Sequence, residues 1–209
     1  MPDTTRRPPF LSLDGLDGSG KSTQCRLLAG WLRSRGHRVT ECADPGGTPL
    51  GDVIRDLLLD RRREMTLACE AFLFMASRAQ LAAEIIRPAL ERGETVVSDR
   101  YLLANVVYQG HAGGLDPGLL WQMGRLATSC LEPDLTFVLD VPVEIARSRR
   151  SGPSDRIESR GSVFASRVRE GFVLEAKEHA ETIHVVDASR PAEQIHQEIC
   201  RKVLQHLQV

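Results

Sequence analysis

Apolar and polar positions along the chain switch repeatedly between two periods. Short apolar runs bounded by turn residues predict strands, and stretches with apolar residues three and four apart predict helices. Phe10–Asp14 reads as a strand that runs directly into the glycine-rich Gly15–Ser22. Lys21–Ser34 follows as a helix, with Leu27, Leu28, Trp31 and Leu32 on one face and Gly36 as its stop. Arg38–Cys42 is a second strand ending in Asp44-Pro45-Gly46-Gly47, a cluster that neither helix nor strand accommodates. Leu50–Leu59 and the long Thr66–Arg92 are helical; Thr95–Ser98 is a third strand closed by Asp99-Arg100-Tyr101. Helices around Leu102–Tyr108 and Pro117–Leu131 precede a fourth strand, Leu135–Asp140. A helix from Val143 enters an arginine-rich stretch, Arg147–Arg160. Val163–Ala180 is helical, Ile183–Val186 is the fifth strand, and Ala192–Leu207 is the closing helix.

Strands separated by helices build βαβ units, so the pattern predicts an α/β protein with a five-stranded parallel sheet covered on both faces. The chain of 209 residues suits one domain, 10–209, with Met1–Pro9 as a loose arm before it. Ser151–Ser154 reads as a mobile tip inside that domain.

Charge and cysteine usage narrow the partners. The formal net charge is −1, so nothing global draws the protein to nucleic acid or to an anionic membrane. Any polyanion it binds must be held by a local cluster. No apolar run approaches a membrane span or a signal sequence. The 5 cysteines are scattered and form no C-x-x-C pair, which points to reduced, mostly buried thiols in the cytoplasm. Lysine is rare, only Lys21, Lys177 and Lys202, so a lysine at a motif position carries weight.

Gly15-Leu16-Asp17-Gly18-Ser19-Gly20-Lys21-Ser22 satisfies G-x-x-x-x-G-K-[ST] between a predicted strand and a predicted helix. Glycines let successive backbone N–H groups turn toward a phosphate, and the helix start adds its positive dipole end. Lys21 then neutralises the β- and γ-phosphate oxygens, and the Ser22 hydroxyl reaches magnesium. A dinucleotide-binding reading fails because Thr23 stands where the third glycine is required. The motif predicts bound ATP or GTP. In open parallel sheets ligands lie beyond the carboxyl ends of the strands, and three further strand ends carry polar clusters: Asp44–Gly47, Asp99-Arg100-Tyr101 and Asp187-Ala188-Ser189. That arrangement asks for a second anionic ligand facing the first.

With these segments in order, together with Leu57-Leu58-Leu59, Phe74 through Arg78, Tyr108-Gln109-Gly110, Pro133-Asp134-Leu135, Leu139-Asp140-Val141 and Asp155-Arg156-Ile157-Glu158, the chain resembles the thymidylate kinase family along nearly its whole length. The resemblance implies a P-loop nucleoside monophosphate kinase fold, a homodimer, ATP as co-substrate, Mg2+, and dTMP as acceptor. It places Gly15, Asp17, Gly18, Ser19, Gly20, Lys21, Ser22, Thr23 and Ala188 on the ATP side, with Ser22 and Asp99 toward the metal. On the acceptor side, Phe74 stacks on the pyrimidine and Arg78 bonds its carbonyl edge; both share one helix face. Asp17 contacts the 3′-hydroxyl, Tyr108 crowds the 2′ position, and Gln109, Asn105 and Asp44 border the pocket. Arg100 grips the acceptor phosphate.

Arg147, Arg149, Arg150, Arg156 and Arg160 interrupt an otherwise neutral protein and suggest a mobile lid over the transferring phosphoryl group. Family members carry an arginine either within the P-loop or in the lid. Gly18 places this chain with the lid type common in bacteria, so Arg149 or Arg150 is the expected transition-state arginine, with Arg156 in support. Three departures border the acceptor pocket: Ala43 replaces an arginine, Ala104 a serine, and Val107 a smaller residue. They leave open another pyrimidine deoxynucleoside monophosphate, or a homologue that binds nucleotide with weak or lost turnover. A P-loop switch that hydrolyses nucleotide for a protein partner is the remaining alternative.

Overall fold

The computed structural model describes residues 7–150 and 155–207. Met1–Arg6 of the expected arm and the Ser151–Ser154 tip lie outside the described residues. The strands are β1 (Phe10–Gly15), β2 (Val39–Ala43), β3 (Thr95–Asp99), β4 (Leu135–Asp140) and β5 (Ile183–Asp187). They form one parallel sheet in the order β2-β3-β1-β4-β5. β1, β3 and β4 are almost wholly buried, which explains their unbroken apolar runs: helices cover both faces of a parallel sheet. β1 lies at the centre, so the loop leaving it opens where the chain reverses direction across the sheet, the usual ligand crevice of such folds.

The helices are α1 (Lys21–Ser34), α2 (Pro49–Leu59), α3 (Leu67–Leu81), α4 (Arg87–Glu91), α5 (Leu102–Asn105), α6 (Pro117–Thr128), α7 (Val143–Ser148), α8 (Gly161–Glu178) and α9 (Ala192–Leu207). One apolar core joins β1 and β4 to α1, α8 and α9 through residues such as Leu28, Phe137, Phe172 and Ile199. A second, built on Met75, Ile86, Tyr101 and Leu120, lies under α3, α5 and α6.

Several boundaries differ from expectation for identifiable reasons. Thr66–Arg92 is not one regular helix: α3 and α4 are joined by a π-helical turn, Ala82–Ile86. Pro88 lacks an N–H and crowds the preceding turn, and a wider turn relieves that crowding. Leu102–Tyr108 likewise splits into α5 and a π-helical turn, Val106–His111. The arm is anchored from Arg7 onward, since Arg7 pairs with Asp134 at 2.8 Å and the buried Pro9 accepts a hydrogen bond from Val96 N–H. Asp140 is a structural residue, held by Arg169 at 2.6 and 2.8 Å. All five cysteines are free, but only Cys25 and Cys200 are buried, fewer than expected. Among the described residues no helix is long and apolar enough to cross a membrane.

Candidate active site

One cleft of about 710 Å³ runs along the carboxyl edge of the sheet. At one end lie Asp17, Gly18, Gly20, Lys21, Ser22 and Thr23; at the other Phe74, Arg78, Asn105, Tyr108 and Gln109; Asp99 and Arg100 lie along the same cleft.

The P-loop end is shaped by main chain. Gly15, Gly18 and Gly20 all have positive φ, at 135°, 87° and 99°. A β-carbon on Gly15 would meet the Leu139 carbonyl oxygen at 2.7 Å, and one on Gly18 would collide with the Ala146 carbonyl oxygen. Position 18 therefore has no room for an arginine in this arrangement, because the last turn of α7 sits against it. Gly20 caps α1 without any side-chain acceptor, leaving the first-turn amides of that helix for a ligand. Lys21 is buried; its Nζ donates to the Leu16 carbonyl at 2.9 Å and lies 3.7 Å from Asp17. Burial and then the Arg100 cation pull its ammonium below the usual lysine range. Ser19 Oγ is buried and has no partner. Ser22 Oγ donates to Asp99 Oδ2 at 2.5 Å. A hydroxyl and a carboxylate so close at the mouth of a phosphate loop are hard oxygen donors of the kind magnesium takes, with water completing its shell. The residues present fit that ion.

Arg100 sits on the far side of Asp17. It is a non-glycine residue at φ 71°, a conformation that costs about 1 kcal/mol or more and must be held by its surroundings. Its Nη2 donates to Asp17 Oδ1 at 2.6 Å and to the Tyr108 hydroxyl at 3.2 Å. Its guanidinium lies 5.1 Å from the centre of the Tyr108 ring. Nη1 is buried without a partner. Burial would raise the Asp17 carboxyl, but the Arg100 and Lys21 cations outweigh it and hold Asp17 below the ordinary range. Burial, opposed by Arg100, pushes the Tyr108 phenol up.

At the acceptor end Arg78 is only 1% exposed and pairs with Asp44 Oδ2 at 2.6 Å. Its Nη1 also donates to Asn105 Oδ1 at 3.0 Å. Burial raises the Asp44 carboxyl although Arg78 opposes it, and Asp44 Oδ1 has no partner. Phe74 is half-buried and lines the cleft instead of being sealed in the core. Ala104 and Ala43 also border it, but Val107, expected there too, is fully buried in the core and does not.

The arginines separate. Arg150 packs over Gly18 and pairs with Glu158 at 3.2 Å. Arg149 lines the cleft while donating to the Ala188 carbonyl at 2.8 Å. Ala188, expected on the ATP side, is fully buried, its N–H donating to the Asp140 carbonyl at 2.7 Å and its carbonyl taken by Arg149, so it is not open to a ligand here. Arg156, expected beside the transferring group, is instead engaged by the Leu58 carbonyl at 2.8 Å and by Glu70 at 2.6 Å, whose charge draws it into the acceptor wall. None of Arg61–Arg63 stands in for the arginine absent at Ala43. Arg62 and Arg63 pair with Asp60, and Arg61 faces a separate cavity with Arg147 and Arg150. Arg55 lines the main cleft, donating to the Pro45 carbonyl at 2.8 Å. Two residues, Arg55 and Glu70, thus escape sequence reasoning. Glu70 had one available signal, its place four residues before Phe74 and eight before Arg78 on one helix face.

A phosphate loop at one end of a cleft, and a buried guanidinium with an unspent donor facing it, define a phosphotransferase that holds two anionic ligands: a P-loop kinase. The thymidylate kinase family model matches residues 13–199, and the chain belongs to the thymidylate kinase family. It is 46% identical over 202 residues to the thymidylate kinase of Rhodopirellula baltica, covering 93% of this chain and 82% of that one. To the thymidylate kinase of Symbiobacterium thermophilum it is 44% identical over 196 residues, covering 93% and 92%. The crystal structure of thymidylate kinase from Ehrlichia chaffeensis matches with a TM-score of 0.77 at 30% identity, over 95% of this chain and 99% of that one.

Proposed function

We propose that the chain transfers the γ-phosphoryl group of ATP to dTMP, giving ADP and dTDP, with the two nucleotides end to end in the one cleft. A phosphate oxygen of dTMP attacks the γ-phosphorus, and the bond from that phosphorus to the bridging oxygen breaks, leaving ADP. No covalent bond to the protein is needed, so catalysis is positioning and charge stabilisation. The observation that carries this reading is Arg100. A strained backbone, a buried guanidinium and an unpartnered Nη1 together ask for an anion from outside the chain.

In this reading the amides of Gly18, Gly20, Lys21 and Ser22 and the Lys21 ammonium hold the donor phosphates. Ser22 and Asp99 would hold Mg2+, which when bound neutralises charge on the phosphate oxygens. Arg149, which lines the cleft, and Arg150, which packs over Gly18 beside the neighbouring cavity, are the two arginines that can meet the transferring group. On the acceptor side Phe74 stacks on the base and Arg78 reaches its carbonyl edge. Asp17 accepts from the 3′-hydroxyl, and Tyr108 closes the space a 2′-hydroxyl would need. Arg100 and Arg55 bind the acceptor phosphate, Arg55 compensating in part for Ala43. A homodimer is supported by exposed apolar residues on three helices, Leu50 and Val53 of α2, Phe72 of α3 and Leu126 of α6. Free cysteines accord with a cytoplasmic setting.

The test offers dTMP, dUMP, dCMP and dGMP singly and measures ADP release from ATP and magnesium. The expected result is release that depends on acceptor and is fastest with dTMP. Turnover indifferent to the acceptor, or ATP binding without turnover, overturns the reading.

A further inference from the structure

A run of hydrogen bonds crosses the acceptor wall and ends on one buried carboxylate. Arg78 donates to Asn105; Asn105 Nδ2 donates to Gln109 Oε1 at 2.7 Å; Gln109 Nε2 donates to Glu70 Oε1 at 2.7 Å. The other oxygen, Glu70 Oε2, accepts from Arg156 Nη1 at 2.6 Å and Arg160 Nη2 at 2.5 Å. Glu70 has no exposed surface, whereas the two arginine side chains are 11% and 26% exposed. Every bond beyond Arg78 points its donor toward Glu70, so the run is polarised and ends on an acceptor, and the two arginines on its other oxygen set that acceptor's charge.

Two consequences follow from charge and position. Arg156 and Arg160 are drawn out of water, and a buried guanidinium is tolerated only with an opposite charge against it. Take away the Glu70 charge and the stable course for both cations is to swing back into solvent, carrying their backbone with them. That backbone is also cleft wall: Asp155 and Ile157, on either side of Arg156, line the cleft. At the other end the run begins at Arg78, Asn105 and Gln109, all of which line the acceptor half.

We propose that Glu70 is a positioning residue that couples acceptor binding to the placement of the segment 155–160. The proposal rests on the acceptor lying against Phe74 and Arg78, as read above. A base bonded to Arg78 or Gln109 stiffens the run and strengthens the hold of Glu70 on Arg156 and Arg160. By linkage, the docked segment tightens the acceptor site by the same factor.

Glu70→Gln keeps the shape and removes the charge. Hydrogen exchange at residues 155–160 is followed with and without dTMP, in the absence of ATP, alongside calorimetric dTMP binding. In the unmodified protein dTMP is expected to slow exchange there severalfold. In Glu70→Gln the segment is expected to exchange faster from the start and to gain no protection from dTMP. The KM for dTMP is expected to rise about tenfold, while the KM for ATP stays within about twofold. A variant that only melts earlier, with the dTMP-induced protection intact, overturns the proposal. Should Glu70→Gln fail to fold, Arg160→Gln removes one cation from a partly exposed position; it is expected to lose part of the protection, and full protection overturns the idea. The two readings fail separately. Absent dTMP binding to the unmodified protein sinks the acceptor assignment, whereas binding without protection sinks only the role of Glu70.

Discussion

The two ends of the cleft are built by different means. The P-loop end is main chain: glycines at positive φ, an uncapped helix start, and one lysine. All of it comes from eight consecutive residues. The acceptor end is side chain: Asp44, Glu70, Arg78, Arg100, Asn105, Tyr108 and Gln109 converge from separated segments and hydrogen-bond among themselves, leaving Asp44 Oδ1 and Arg100 Nη1 unpartnered. A main-chain site tolerates sequence drift wherever glycine and the helix remain. A side-chain network is sensitive to each member, because removing one leaves its buried partners unsatisfied. Of the three departures that the resemblance marks, Ala43 and Ala104 line the cleft at this end, whereas Val107 is buried in the core.

The sharpest way to break the comparison is Arg100→Ala, since Arg100 serves the acceptor end alone in the proposed reading. Loss of a preorganised charged donor at a transferring phosphoryl group typically costs ~10²–10³-fold. The expected outcome is a fall of about that size in kcat/KM for dTMP, with ATP affinity nearly unchanged. Steady-state kinetics with both substrates, and ATP binding by calorimetry, check it. Equal loss at both ends would show that the ends are not separable.

The same contrast governs what the sequence reveals. The P-loop was legible because its geometry is local: strand, glycines and helix are contiguous, and each residue's task follows from backbone chemistry. The sheet was legible to within a residue at most strand ends, because buried parallel strands leave unbroken apolar runs. The π-helical turns at Ala82–Ile86 and Val106–His111 left no mark in the periodicity. Glu70 was invisible for another reason. Its partners Gln109, Arg156 and Arg160 lie 39 to 90 residues away, and a lone glutamate near a helix start normally means a solvated face. Arg156 went to an unexpected place for the same cause: an anion that sequence could not locate pulls it there.

The donor end has a side-chain weak point beneath the loop. Asp14 is fully buried in β1, hydrogen-bonded by Ser12, with Oδ1 unpartnered. Burial raises its carboxyl from 3.8 to about 6, against the lowering effect of Arg100 and Lys21. The folded chain therefore keeps a proton that the unfolded chain has released. Stability falls as pH rises through the window from about 4 to about 6, and the penalty is constant above it. A shift of this size corresponds to about 3 kcal/mol. Asp14→Asn is expected to match the unmodified protein near the bottom of that window and to exceed it in urea midpoint above the window. Parallel midpoints across the whole range would refute the assignment.

The smallest effect tests whether the acceptor end can be improved. Ala43 ends β2, is exposed, and borders the cleft next to Asp44, so a longer side chain there meets space and not core. The resemblance puts an arginine at this position, and Arg55 is the cation that stands near the acceptor end without it. An added guanidinium has to reach the acceptor phosphate across a site already held by Arg100, so its gain is less than the ~1.5–3 kcal/mol of an isolated charged hydrogen bond. About tenfold is the reasonable expectation for the fall in dTMP KM on Ala43→Arg. ATP KM should not move, because the P-loop end shares no side chain with position 43. If ATP binding changes as much as dTMP binding, the added charge acts on the cleft as a whole and the division into a main-chain end and a side-chain end is too simple. If dTMP KM is unchanged, Arg55 already supplies what the missing arginine would have given, and the double change Ala43→Arg with Arg55→Ala should then restore near-native affinity.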